Sequence, residues 1–166
     1  MGMLQRALFK TPVGALYLIS DEHVLLGAGF TSYEDLLSRM DVEDSSRKIT
    51  TVKSIPIISD LVSDYFEGDL AAFGGIQVRQ PGADFSQAVW KVMRKIPVGK
   101  TMSYAEIAKR AGSPDAVRAA GSACARNLIA PIVPCHRVVK SGGALGNYAY
   151  GLDAKEWFLR HEGALK

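Results

Sequence analysis

Cysteine is scarce in this sequence: Cys124 and Cys135 are the two among 166 residues. Two cysteines are too few for a disulfide framework, and with no C-x-x-C pair they offer no zinc site. A reducing compartment is the natural setting for such a chain. Long hydrophobic runs are also missing, and no stretch approaches the roughly 18 apolar residues that span a bilayer. The N-terminus lacks a basic region followed by an apolar run and a small-residue cleavage site, so no secretory signal is expected. These absences lead us to expect a cytoplasmic protein (nuclear in a eukaryote) with no membrane partner. The glycine-rich stretch 141–151 has no Gly-Lys-Ser/Thr ending, which argues against a phosphate-binding P-loop. Gly27-Ala28-Gly29 lacks a third glycine and the rest of a dinucleotide fingerprint.

What is present suffices for a folded core: 48% of residues are apolar and 22% charged. The formal charge of +3 conceals a division. Residues 1–80 hold 7 Lys/Arg against 11 Asp/Glu, and residues 81–166 hold 13 against 6. A basic half suits a polyanionic partner such as nucleic acid; a basic solvated surface fits the same numbers.

Residues 4–30 read as strands, with Asp21-Glu22-His23 as a hairpin turn between Gly14–Ser20 and Val24–Phe30. A short helix fits 32–40, a polar loop 41–53, and a helix runs through Ile57, Ile58, Leu61, Val62, Tyr65 and Phe66 to Gly68. Glycines and Pro81 mark a boundary, so we divide the chain into a structural lobe, 1–80, and a second domain, 81–166. The second is mainly helical. One helix starts near Asp84, with Gln87 as capping-box partner. Ser103 and Glu106 form another box, opening a helix that Gly112 stops. Ser113 and Pro114 then start a helix of about 115–125, which completes a helix-turn-helix. That helix is rich in small residues, including Ala119, Gly121 and Ser122, and so can approach either a DNA groove or another helix. Residues 127–139 read as a buried extended segment. Asp153 and Glu156 cap a last helix that ends at Gly163. The expected fold class is α+β: a small sheet-plus-helix lobe, then a mainly helical, winged-helix-like lobe.

The sharpest chemical feature is Pro134-Cys135-His136-Arg137-Val138. A thiol nucleophile must ionise, and an imidazole can take its proton. Adjacent residues of an extended segment point to opposite sides, so His136 needs a water relay or a sharp turn to serve Cys135. A neutral imidazole also needs an acceptor on its other nitrogen, and Glu162 is a candidate. A lone Cys-His pair reads more readily as a buried inert cysteine beside a core histidine. A wider pattern bears on that choice: Arg118-Ala119-Ala120-Gly121, Asn127, the Pro-Cys-His-Arg-Val run, Gly146-Asn147-Tyr148, and Lys155 through Gly163 in one series. In this order and spacing, with Asp84-Phe85, Ile96-Pro97-Val98-Gly99 and Ser103-Tyr104 upstream, the chain resembles the O6-alkylguanine-DNA alkyltransferase family. Thr11-Pro12-Val13-Gly14 and Tyr65-Phe66-Glu67-Gly68 fit more loosely.

The resemblance implies direct-reversal DNA repair. A single, irreversible transfer moves the alkyl group from O6 of a flipped guanine to Cys135. It implies that His136 deprotonates Cys135 through a water and that Glu162 orients His136. Asn127 becomes the hinge between recognition helix and active-site segment, a role compatible with an ordinary helix C-cap. Tyr104 becomes the residue that turns the nucleotide outward and donates to guanine N3, where a half-buried helix tyrosine is the plain alternative. Arg118 fills the gap left by the base, or else contacts phosphate. The Val138 carbonyl and the Ala149 N–H read guanine, and Tyr148 lines the site. The partner is double-stranded DNA entered from the minor groove by a monomer; no cofactor and no metal are implied. Leu128 departs from the proline common after the hinge asparagine. Tyr150 stands where glycine is common, and is expected to narrow the pocket mouth against bulky adducts. Three rival readings make different demands. A damage sensor would lack the cysteine, a cysteine hydrolase would turn over repeatedly, and a transcription regulator would bind its site without a lesion.

Overall fold

The computed structural model describes residues 2–166. They group into two compact units, Met1–Pro81 with Leu128–Ile132, and Gly82–Asn127 with Val133–Lys166. The stretch Leu128–Ile132 thus joins the first unit, whereas the sequence division kept it in the second domain. The reason is backbone pairing of Ile129 with Ala28.

The first unit is built on a five-stranded sheet. Strands β1 (Leu4–Thr11), β2 (Gly14–Asp21) and β3 (Val24–Gly29) form an antiparallel meander. Gly14, at φ +127°, makes the first turn, and Glu22, at φ +52°, the second. Helix α1 (Tyr33–Arg39) follows, its first turn capped by Ser32 Oγ accepting from Asp35 N–H at 3.0 Å. Residues 41–53, expected as loop, contain more order than their polarity suggested. Asp41 caps a single helical turn, α2 (Val42–Ser45), and β4 (Ile49–Thr51) lies parallel to β1. Asp44 of that turn is buried because Arg47 and Arg79 both pair with its carboxylate. Polar residues here neutralise one another, so polarity alone misread the segment.

Helix α3 (Ile58–Phe66) buries Ile58, Val62 and Tyr65, and Gly68 at φ +117° lets the chain leave. Tyr65 stacks on Phe73 with ring centroids 3.9 Å apart. Strand β5 (Gln77–Val78) completes the sheet order β4-β1-β2-β3-β5 by pairing parallel to the start of β3. The end of β3 is covered from far along the chain: Ala28 N–H donates to Leu128 O at 2.9 Å, and Ala130 N–H to Ala28 O at 3.1 Å. Gln80 Oε1 accepts from Leu128 N–H at 2.9 Å. These bonds satisfy both backbone groups of Leu128 and the N–H of Ala130 within this buried apolar run.

The second unit opens with α4 (Asp84–Arg94). Its cap is Ala83, which makes no side-chain bond, so the expected Asp84–Gln87 box is absent. Asp84 sits inside the first turn, where its charge suits the helix dipole, and Gln87 reaches back to Gly82 O. Helix α4 buries Val89, Trp90 and Met93, and Trp90 Nε1 donates to Ala123 O at 2.9 Å. After β6 (Met102–Ser103), helix α5 (Tyr104–Arg110) starts on Ser103, whose Oγ accepts from Glu106 N–H at 3.1 Å. The return half of that box is lost to Arg110, which takes the Glu106 carboxylate at 2.9 Å. Gly112 at φ +100° makes the turn to α6 (Val117–Ala125). Helix α6 starts later than the Ser113-Pro114 signal implied. Ser113 closes a separate turn through Ala116 N–H, and Ala116 is the uncapped start. Strand β7 (Val138–Val139) pairs parallel to β6. The last helix, α7 (Leu152–His161), begins after Gly151 at φ +96°, so Asp153 and Glu156 lie within it and do not cap it.

Candidate active site

Residues 127–139 are buried throughout, as their apolarity implies, but they are not extended throughout. At Cys135–Arg137 the chain makes one tight helical turn, closed by Arg137 N–H donating to Pro134 O at 3.0 Å. Three residues per turn spread consecutive side chains around the axis instead of alternating them across a strand. This supplies the sharp turn that the Cys-His pair needed. The turn divides the labour: Cys135 lines a cavity, while His136 and Arg137 face Glu162 at the end of α7.

The polar cluster behind the cysteine is fully buried. His136 Nε2 and Glu162 Oε2 are 2.8 Å apart, and His136 stacks on Phe158. His136 Nδ1 has no hydrogen-bond partner among the described residues. Arg137 grips the same carboxylate twice, Nε to Oε1 at 2.7 Å and Nη2 to Oε2 at 3.0 Å, and also donates to Ile96 O at 2.8 Å. Burial by itself pushes Glu162 up. The hydrogen bonds from His136 and Arg137 outweigh it and hold the carboxyl down at about 2. Burial depresses His136, against the pull of Glu162, so the imidazole rests neutral. Burial also raises the Cys135 thiol, opposed by Asn127 and by the charge of Lys155. The resting sulfur is therefore protonated, and reaction requires a base.

Asn127 follows Arg126, the C-cap of α6, so it is not itself the helix C-cap, and it is 5% exposed. Its Nδ2 donates to Val133 O at 2.8 Å and lies 3.4 Å from Cys135 Sγ. One amide thus links the end of α6 to the cysteine segment.

The cavity has a volume of about 610 Å³, within the roughly 300–1,000 Å³ usual for small-molecule sites. Of the residues named from sequence, Tyr104, Arg118, Gly121, Ser122, Cys135, Tyr148 and Ala149 share its wall. Asn127, His136 and Glu162 stand behind it. Ala119 does not line it; it is exposed on α6. Val138 does not line it either; its buried carbonyl accepts from Lys155 Nζ at 2.7 Å. Tyr150 is also off the wall and packs edge-on against Tyr148, a wall residue, with 5.7 Å between ring centroids. Tyr104 is half-buried, and burial raises its phenol, which stays protonated at neutral pH.

Sequence reasoning gave no role to Lys155, Arg137 and Lys140, and read Cys124 as a small core residue on the recognition helix; it is buried, and it also lines the cavity. Lys155 is completely buried, and besides Val138 O its ammonium donates to Leu145 O and, at 3.1 Å, to Asn147 O. It ties down the glycine-rich loop that contributes Asn147, Tyr148 and Ala149 to the wall. A signal existed: Lys155, Phe158, Leu159 and Glu162 fall at i, i+3, i+4 and i+7, one helix face on which a lysine is out of place. Among the described residues no group of three His, Cys, Asp or Glu side chains could hold a metal ion, and no helix is long and apolar enough to cross a membrane.

Known proteins match this arrangement. Residues 84–164 match the family model "6-O-methylguanine DNA methyltransferase, DNA binding domain". A methylated-DNA–protein-cysteine methyltransferase of Salmonella typhimurium is 36% identical, with 93% of each chain covered. One of Methanosarcina acetivorans is 38% identical over 95% of this chain and 97% of its own. The crystal structure of Mycobacterium tuberculosis OGT in complex with DNA superimposes with a TM-score of 0.82 at 34% identity, covering 96% of this chain and 93% of that one. The α+β fold is the one seen there, and the chain belongs to the methylated-DNA–protein-cysteine methyltransferase (O6-alkylguanine-DNA alkyltransferase) family.

Proposed function

We propose that this protein repairs O6-alkylguanine in double-stranded DNA by moving the alkyl group onto Cys135 Sγ, once per molecule. The observation that carries this reading is the union of a cavity-facing thiol with a buried imidazole. One nitrogen of that imidazole is fixed by Glu162, and the other is free to accept. His136 takes the Cys135 proton through an intervening water, and Glu162 stabilises the imidazolium that results. The thiolate attacks the alkyl carbon, an S–C bond forms and the C–O6 bond breaks. Guanine leaves as an anion unless it is protonated. Tyr104 donates at N3, general-acid help typically worth about 10²–10⁴-fold. The product thioether has no leaving path, so the protein is consumed.

The target carbon lies inside the duplex stack, and the base must turn out at a cost of a few kcal/mol. Helix α6 enters the minor groove, only about 6 Å wide, and its small side chains Ala119, Gly121 and Ser122 permit close approach. Arg118 fills the space that the base leaves. The Ala149 N–H and the Val138 carbonyl read the base, the latter with the lone pair that Lys155 does not use. Asn127 couples α6 to the cysteine segment. The second unit thus binds DNA and accepts the alkyl group, the first supports it, and the protein works as a monomer in the cytoplasm.

The test is an intact-mass spectrum after mixing with a duplex bearing one O6-methylguanine. We expect one added methylene per protein, mapped to Cys135 and absent from Cys135→Ser. Lesion binding with no mass gain would reduce the protein to a sensor, and release of methanol with repeated turnover would make it a hydrolase.

A further inference from the structure

Methyl transfer uses one of two sulfurs on the cavity wall. Cys124, in the last turn of α6, shares that wall with Cys135. It is 8% exposed, and its Sγ lies 3.6 Å from Met93 Sδ, an uncharged neighbour. Each thiol is within electrostatic reach of the other and of Lys155. Burial, then the nearby Cys135, pushes Cys124 up to about 12. It therefore does not compete for the first alkyl group, which requires a thiolate.

We propose that the two cysteines act in succession on adducts whose alkyl group carries its own leaving group on the second carbon, the O6-(2-haloethyl)guanines, and close a two-carbon thioether bridge between Cys135 and Cys124. This rests on Cys135 being the alkyl acceptor. In the first step the Cys135 thiolate bonds to the carbon on O6, that C–O bond breaks, and guanine takes a proton. Cys135 then bears a haloethyl thioether. Its sulfur lone pair displaces the halide from the second carbon, giving a three-membered sulfonium ring and a halide ion. The Cys124 sulfur attacks a ring carbon, the ring opens, and the Cys124 proton passes to solvent. No oxidant or reductant enters; halide and a proton are all that leave in the second stage.

A sulfonium ring is electrophilic enough for a protonated thiol, which methylguanine is not. Position decides among competitors: Cys124 shares the cavity wall with Cys135, and a neighbour that meets the ring in line acts with an effective concentration of about 10⁵ M or more. The rival acceptors are water, Lys140 on the same wall, and the DNA itself. A methyl adduct has no second carbon, so Cys124 stays silent in its repair. With a haloethyl adduct, the bridge disarms the reactive end before it reaches DNA.

The experiment uses the full chain and a freshly prepared duplex carrying one O6-(2-chloroethyl)guanine, with an O6-methylguanine duplex in parallel. The expected product gains two carbons and two hydrogens and no chlorine. Trypsin should then release residues 119–126 joined to 127–137, since Arg118, Arg126 and Arg137 flank the two cysteines. A product that keeps chlorine, carries hydroxyl in its place, maps to Lys140 or is joined to DNA overturns the bridge while leaving alkyl transfer intact. Methyl transfer without any reaction of the chloroethyl duplex overturns it equally. Absence of mass gain with both duplexes overturns the acceptor reading beneath it.

Discussion

Glu162 is the residue on which the buried cluster turns, because two partners share its carboxylate. Its effect on stability has a definite sign. In the unfolded chain Glu162 takes a proton near 4.5, while in the fold it stays ionised down to about 2. Unfolded His136 takes a proton near 6.5, while buried His136 resists it. In both windows the unfolded chain binds more protons, so stability falls as pH falls, first below about 6.5 and more steeply between 4.5 and 2. The Glu162 share amounts to roughly 3 kcal/mol over that lower window. Glu162→Gln should be less stable at neutral pH, since Arg137 then keeps a buried charge without its counter-ion. It should also lose stability less steeply between pH 5 and 3, and transfer methyl about 10²-fold more slowly. Urea titrations across pH and single-turnover rates check these outcomes; a wild-type-like acid slope in the variant would contradict the assignment. The His136–Glu162 contact was legible in sequence because a neutral imidazole needs an acceptor on its second nitrogen. Arg137 and Lys155 were not, because a cation reads as a surface residue until its partners are known. Those partners are a carboxylate 25 positions away and three backbone carbonyls.

At the scale of elements, α4 and α5 begin where the sequence placed them, at Asp84 and after Ser103, whereas α6 begins at Val117 and not near 115, and α7 begins at Leu152, ahead of its expected caps. Capping signals are short, and competing turns consume them: Ser113 closes its own turn, and Glu106 prefers Arg110. Helix α4 begins on Ala83 with no side-chain cap, which leaves room for improvement. Ala83 already has the extended backbone of a cap residue, φ −63° and ψ 163°. Ala83→Ser should therefore stabilise the protein by about 0.5–2 kcal/mol, seen as a rise of roughly 2–4 °C in melting temperature per kcal/mol. An unchanged melting temperature would mean that the first turn of α4 is satisfied by other means. Neighbouring Gly82 cannot be altered as freely, for a Cβ there would meet the Trp90 ring at 2.6 Å. The glycine-rich loop 141–151 was recognised as loop, but its fixed shape was not. That shape comes from Lys155, which lies outside the loop.

At the scale of the molecule, the charge division seen in sequence is a division between the two units, because Leu128–Ile132 carries no charge. The first compact unit's main segment ends at Pro81, in a stretch marked by glycine and proline. The return of Leu128–Ile132 to the first unit was not legible in sequence, since strand pairing across a hundred residues leaves no local mark. A fragment of residues 82–166 therefore carries this apolar run without the β3 edge that pairs with it. We expect that fragment to self-associate in size-exclusion chromatography at concentrations where the full chain runs as one species; a monodisperse, cooperatively folded fragment would show that the run finds another shelter. The same pairing bears on synthesis. As the chain emerges from the ribosome, β3 is complete after residue 29, and the backbone that seals its far end arrives about a hundred residues later, once α6 has been made. Until then the nascent first unit presents an open strand edge, the kind of surface that invites pairing with another chain. The vulnerable interval in the life of this protein is thus set by translation speed between residues 29 and 130, and slow codons there would lengthen it.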